Sequence, residues 1–237
     1  KRLARVFLEH VGVKPFDEKA LLELRLADYR EGCVEPGSKH VEDVKRILRC
    51  WKKDESIEEI FDGVPFLLGR HEDGEDIWLA PEELCLDEPY QRSGLAEHFD
   101  IHERYPLSPT YSKSLTDSNL RQFVAFLRSI GVQDELEVVE VGVWRNPARA
   151  ELMVDKYKQG ARTTNSEIDE DYTIDTLDEY LDSETVSASR LIWSALTKAD
   201  QNIATARYRP NQNYSIKEAP SQLVTCLATA AWIPDKD

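Results

Sequence analysis

Few side chains in this sequence have the type and spacing to do chemistry. His98 and His102 stand four residues apart with Glu103 adjacent, and on a helix that spacing puts both imidazoles on one face. A zinc site would need a third converging ligand. Phe99 and Ile101 sit between and beside them, and no glutamate follows the first histidine as a metalloprotease helix requires. The pair therefore reads as surface or packing histidines, with a metal site as the alternative. His71, with Glu72 and Asp73, falls in an expected turn and reads as a solvated charged loop. Asp169-Glu170-Asp171 lacks the glycine and closing glutamate of a calcium loop. The sequence contains no G-x-x-x-x-G-K-(S/T), no G-x-G-x-x-G and no G-x-S-x-G. The expectation is a non-enzyme without metal or cofactor.

Charge gives two further features. Arg145, Arg149, Lys156, Lys158 and Arg162, with Tyr157 among them, form the one basic stretch. Pairing with the chain's own carboxylates is the expected role, and a local nucleic-acid contact is the alternative. From Glu167 to Glu184 there are nine acidic residues and no Lys or Arg, while Ile174, Leu177 and Leu181 keep an i, i+3, i+7 face. This segment reads as a solvated helix flanked by an acidic loop, or as a docking surface for a basic partner.

The whole chain of 237 residues carries a net charge of −15, with 45 acidic against 30 basic side chains. Such a field repels phosphate backbones, so broad nucleic-acid binding is disfavoured. Cys33, Cys50, Cys85 and Cys226 are scattered with no C-x-x-C pair, as expected of free thiols in a reducing compartment. No apolar run approaches the roughly 20 residues of a membrane span. Lys1-Arg2-Leu3-Ala4-Arg5 opens no signal peptide. A cytoplasmic protein is expected, and the ends of the sequence read as those of a piece of a longer chain.

The elements that must position these groups are mostly helical. Leu3, Val6 and Phe7 share a helical face that Gly12 would end. Pro15-Phe16-Asp17-Glu18 opens a leucine-rich helix running to Gly32. Val41, Val44, Leu48 and Trp51 recur at i, i+3, i+7, i+10, and Ser56 with Glu59 has the form of a capping box. Val64–Leu68 and Ile77–Leu79 flank Asp73-Gly74, predicting a β-hairpin whose largest packing side chain is Trp78, followed by a turn at Pro81. Leu120, Phe123, Leu127 and Ile130 predict another helix, capped by Asp117 or Ser118 and ended at Gly131. The fold class is α+β, predominantly helical, with small β-hairpin units.

Four ordered matches point to two tandem copies of one unit. Phe7-Leu8-Glu9-His10-Val11-Gly12-Val13 matches Phe126-Leu127-Arg128-Ser129-Ile130-Gly131-Val132, and Tyr29 before Gly32 matches Tyr157 before Gly160. The helix carrying Trp51 matches the one carrying Trp193, and Phe61–Pro65 matches Ala230–Pro234, which includes Trp232. The two prolines at 106 and 109 mark the expected boundary, giving units 1–106 and 107–237. The second unit would hold the acidic segment 167–184 as an insertion and be cut off inside its hairpin.

The hairpin unit resembles repeated segments of sacsin and of large bacterial sacsin-like proteins. The residues that carry the likeness are Val64–Leu68, Asp73-Gly74, Trp78-Leu79-Ala80-Pro81 and Leu84, then Asp87-Glu88-Pro89-Tyr90, with Trp232-Ile233-Pro234 as the start of a second unit. In that family an ATP-binding domain of the Hsp90/histidine-kinase type lies elsewhere in the chain. The resemblance implies a non-catalytic, chaperone-like scaffold that couples such an ATPase to protein clients or effector domains. Its ATP-site motifs have no counterpart here, and no catalytic residue is carried over. The alternative function is a nucleic-acid-contacting fragment of a DNA-processing or phage-defence protein.

Overall fold

Apolar periodicity sets the first unit. The structure, a computed structural model, describes residues 18–158, 162, 166–199 and 201–233. Helix α1 (Glu18–Arg30) turns Leu22, Leu26 and Tyr29 inward and leaves Leu24 out. It ends as expected at Gly32, whose φ of 69° lets Cys33 N–H reach back to Asp28 O at 2.9 Å. Helix α2 (Ser38–Trp51) buries Val41, Val44, Ile47 and Leu48, together with His40. The 3₁₀ helix Glu55–Phe61 is capped by Asp54, not by Ser56: the Asp54 carboxylate accepts Ser56 N–H at 3.0 Å.

The expected hairpin is present. Strands β1 (Leu67–Arg70) and β2 (Asp76–Leu79) pair antiparallel, with Leu68 opposite Trp78. The ladder begins later than the apolar run, because Val64 and Phe66 pack into the core ahead of it. Gly74 takes a φ of 86° in the turn, and Asp73 Oδ1 accepts Glu75 N–H at 2.9 Å. Gly69 is required for a different reason: a β-carbon there would run into Leu79 and come within 2.8 Å of Leu84 Cδ2. Pro81 then opens a short 3₁₀ turn in which the Glu83 carboxylate accepts Ala80 N–H at 2.8 Å. Strand β3 (Leu84–Cys85) follows, fully buried.

The chain divides into two compact units, one ending at Arg92 but including Arg104–Asp134, the other Ser93–Glu103 with the residues from Glu135. This departs from a boundary at 106/107. The proline-rich segment is part of the first unit: strand β4 (Tyr105–Pro106) pairs parallel with β3, and Leu107 bridges Gly69 on β1. The segment Ser93–Glu103 forms a 3₁₀ turn, Leu95–His98, and a short helix α3 (Phe99–His102). Helices α4 (Thr110–Ser114) and α5 (Asp117–Ser129) then complete the first unit. Phe123, Phe126 and Leu127 of α5 lie in one core with α1, α2 and the hairpin, where Phe126 meets the rings of Trp51, Phe61 and Phe66. Thr116 holds the N-cap position of α5, one residue before the expected cap.

The second unit is built on a four-stranded antiparallel sheet in the order β5 (Val138–Val141), β6 (Ile168–Ile174), β7 (Thr205–Arg209), β8 (Lys217–Pro220). Between β5 and β6 the chain makes a 3₁₀ turn at Val143–Arg145, helix α6 (Arg149–Leu152) and a second 3₁₀ turn at Met153–Asp155. Helices α7 (Leu177–Asp182) and α8 (Val186–Lys198) precede β7, and α9 (Gln222–Thr229) follows β8. The acidic segment is thus corrected: its first half is the interior strand β6, and only its second half is helical. Alternation explains how a strand of sequence IDEDYTI folds inside a sheet. Successive side chains point to opposite faces, so Asp171 goes to the covered face and Glu170 to the open one.

A repeated unit is not shown by the four sequence matches. The first member of the F-L-x-x-(V/I)-G-V pair, Gly160 and Pro234 lie outside the described residues, as does the expected first helix. Tyr29 is buried in a helix and Tyr157 is exposed in a turn, while Trp51 is half-buried and Trp193 exposed. Among the described residues no helix is long and apolar enough to cross a membrane.

Candidate functional site

The most elaborate polar arrangement is one that sequence spacing did not single out. His40 faces inward because it lies one helical turn before Val44 on the buried stripe of α2. Its ring is 1% exposed, and both nitrogens are engaged. Nδ1 lies 2.8 Å from Tyr29 Oη, and Nε2 lies 2.9 Å from Tyr111 Oη on α4. Tyr29 Oη in turn donates to Asp43 Oδ2 at 3.0 Å, and Arg25 holds that oxygen at 2.7–2.8 Å. Leu68 N–H on β1 donates to Tyr111 Oη at 2.7 Å.

Proton counting assigns every bond. A tyrosine has one O–H, and that of Tyr29 goes to Asp43, so His40 Nδ1–H must be the donor to Tyr29. The neutral ring then accepts at Nε2 from Tyr111, whose oxygen accepts from Leu68. The chain Leu68, Tyr111, His40, Tyr29, Asp43, Arg25 is complete, running from the hairpin through α4, α2 and α1. Burial lowers the His40 pKa to about 4 against a nearby Asp43 that pulls the other way, and burial raises those of Tyr29 and Tyr111. Trp78 closes the arrangement, its half-buried ring set edge-on to Tyr29 and His40 at 5.3 and 4.7 Å. A shallow depression of about 400 Å³, lined by Arg25, Ser38, Lys39, Glu42 and Asp43, marks the surface end of the chain.

The second unit has its own buried polar centre. Asp171 on β6 is 0% exposed. Its Oδ1 accepts Tyr172 N–H at 2.8 Å and Gln222 N–H at 2.9 Å, and its Oδ2 accepts Asn146 Nδ2–H at 3.0 Å. Asn146 also donates to Pro220 O and accepts from Ala148 N–H. Gln222 begins α9, so the carboxylate occupies the positive end of a helix dipole while Ser221 caps Val224 N–H. On the open face of the sheet, Glu140, Glu170, Tyr172, Thr205, Arg207 and Glu218 line a polar concavity of about 490 Å³. There Arg207 pairs with Glu170 at 3.2 Å and with Glu218 at 3.7 Å.

The sequence-derived candidates are placed as follows. His102 Nε2–H donates to Leu95 O at 2.7 Å, and the buried His98 ring sets its edge against Tyr180 at 5.4 Å. Burial holds the His98 pKa below the usual imidazole value. Among the described residues no three His, Cys, Asp or Glu side chains are grouped to hold a metal ion. His71 pairs with Asp73 at 3.0 Å and stacks on Tyr105. The four cysteines are unbridged, with Cys50 and Cys85 buried. Trp51 Nε1–H donates to Glu58 at 2.9 Å, and Pro81 is buried. Trp232 stacks on Trp193 at 6.4 Å.

The basic stretch departs from expectation. Arg145, Arg149, Lys156, Lys158 and Arg162 are all exposed, and among the described residues only Lys158 forms an ion pair with a carboxylate, that of Asp155. Sequence reasoning also missed Trp144, 55% exposed beside Arg145, whose guanidinium lies 4.6 Å from the indole centroid. Comparison of the chain with family models, with curated proteins and with solved structures finds no match in any of the three.

Proposed function

We propose that the chain is a non-catalytic scaffold and protein-interaction segment, working within a larger ATP-binding protein of sacsin-like organisation. The observation that carries this reading is the exposed apolar surface on α8: Val186 and Trp193 are more than half exposed, Trp193 is stacked on Trp232, and Ile233 is exposed beside it. Aromatic and aliphatic side chains held on a helix in this way are the material of protein interfaces. The buried histidine supports the same reading from the other side. Both His40 nitrogens are bonded within the core, so that ring has no capacity left for substrate. The hairpin residues on which the family likeness rests are packed as structural elements, with Val64, Phe66, Leu67, Leu68 and Leu84 in the core.

On this reading the segment itself takes no nucleotide. Titration calorimetry with Mg-ATP is expected to give no saturable heat, and saturable binding at micromolar ATP would overturn the proposal. Cross-linking of the natural gene product is expected to join the Trp193 face to a neighbouring domain or client.

A further inference from the structure

We infer that the segment from Trp144 to Lys158 is a docking surface for single-stranded nucleic acid, a partner class outside the scaffold reading. Val143, Leu152 and Met153 are buried against Ala206 and Tyr208, and Ala206 and Tyr208 are the alternate residues on the covered face of β7. The segment is therefore packed from one side only. Asn146 and Asp155 are buried as well, while Trp144, Arg145, Arg149, Lys156 and Tyr157 are turned to solvent.

Charge is segregated by the same geometry. Glu140, Glu170 and Glu218 surround Arg207 on the open face of the sheet, and period-two alternation puts Arg207 on the side opposite Ala206 and Tyr208. The acidic concavity and the basic segment are thus separated by the thickness of the sheet. Within residues 144–158 there are four cationic side chains and two acidic ones, Glu151 and Asp155. Asp155 is already bound to Lys158. A local excess of positive charge remains on a protein whose overall charge is −15.

Aromatic rings interleave with these cations. Trp144 is 55% exposed and Tyr157 75% exposed, Arg145 lies over the Trp144 ring, and Lys158 approaches the Tyr214 ring at 5.9 Å. Arg149 Nη1–H reaches the Trp144 carbonyl oxygen at 3.4 Å. Exposed aromatic faces next to guanidinium and ammonium groups are the combination that stacks bases and tracks a phosphate backbone. An acidic peptide would use the cations and leave both large rings unemployed. A duplex, with its bases stacked inside, would do the same.

The test is fluorescence anisotropy of labelled oligo(dT) and oligo(rU) of about 20 nucleotides, a length covering a typical single-strand site. Saturable binding is expected, weakening between about 50 and 200 mM salt with a logarithmic slope near −2 to −3, as about three to four phosphate contacts would give. Trp144→Ala is expected to weaken binding about tenfold, Trp144→Phe to restore most of it, and Arg149→Glu with Lys156→Glu to abolish it. Glu140→Gln, on the opposite sheet face, should leave it within about twofold. Circular dichroism checks that each variant is folded, and the charge reversals, being on exposed positions, stand in if Trp144→Ala is not. No saturable binding at low salt, equal affinity of the Trp144 and charge variants, or a duplex bound as tightly as the single strand would each overturn the inference. Displacement of the oligonucleotide by polyglutamate at equal charge concentration would overturn it in favour of an acidic protein partner.

Discussion

The two units bury polar groups by opposite means. In the first, a neutral histidine is held between two tyrosine hydroxyls, and the nearest charges, Arg25 and Asp43, lie at the partly exposed end of the chain. In the second, a carboxylate with no exposed surface stands at the start of a helix and accepts three N–H groups. A neutral chain costs little to desolvate but depends on each proton being in place. A buried carboxylate is costly to desolvate and is tolerated only while its donors surround it. The second unit also leaves its large aromatics, Trp144, Tyr157 and Trp193, at the surface, whereas the rings of the first unit are mostly inside.

The sharpest way to break this contrast is to remove the carboxylate. Asp171→Ala takes the acceptor from one Asn146 amide N–H and from the first N–H of α9 in a buried site, and is expected to cost about 3–5 kcal/mol. Chemical denaturation would measure it. A loss below about 1 kcal/mol would mean that water reaches the site and that the centre is not a desolvated one.

Second in size is the acid limb of stability. The His40 pKa falls from 6.5 in the unfolded chain to about 4 when folded, so between these values the unfolded state binds more protons. Stability therefore rises with pH through that window and falls by up to about 3 kcal/mol on acidification from above pH 6.5 to about 4. The His98 shift has the same sign, which is why the variant comparison is needed. His40→Gln is expected to be less stable at neutral pH and to show a flatter profile across the window. Parallel profiles for the two proteins would remove His40 as their source.

The smallest effect is expected on the exposed face of α8. Trp193→Ala should change stability by less than about 0.5 kcal/mol while reducing cross-linking to neighbouring domains. A large stability loss would show that the indole is packed in solution, and the contrast between inward and outward rings would fail there.

Local chemistry was legible where one side chain and its near neighbours decide the outcome. The hairpin followed from its two apolar runs about Asp73-Gly74, and α1, α2 and α5 followed from their buried stripes. Cap positions were read less well, because Asp54 and Thr116 compete with equally plausible neighbours one or two residues away. The acidic run at 167–184 departs from a helix with a loop in that its first half is a strand, and of its carboxylates only Asp171 is buried. Asp169 and Asp171 find N–H donors at Val143 and Gln222, 26 and 51 residues away in sequence, and a strand with such partners can lie inside a sheet.

By itself the sequence determined the α+β class, the helical faces and the turn at Gly74, since each depends on backbone preference and on periodicity within one segment. Only the tertiary structure decided the division into units, because Leu107 and Phe126 join the first core through partners far along the chain that no local pattern announces. The same holds for His40. Its place on the buried face was written in the spacing of α2, but its partner Tyr111 lies 71 residues away. A buried imidazole becomes a satisfied one only when folding brings that hydroxyl to its nitrogen.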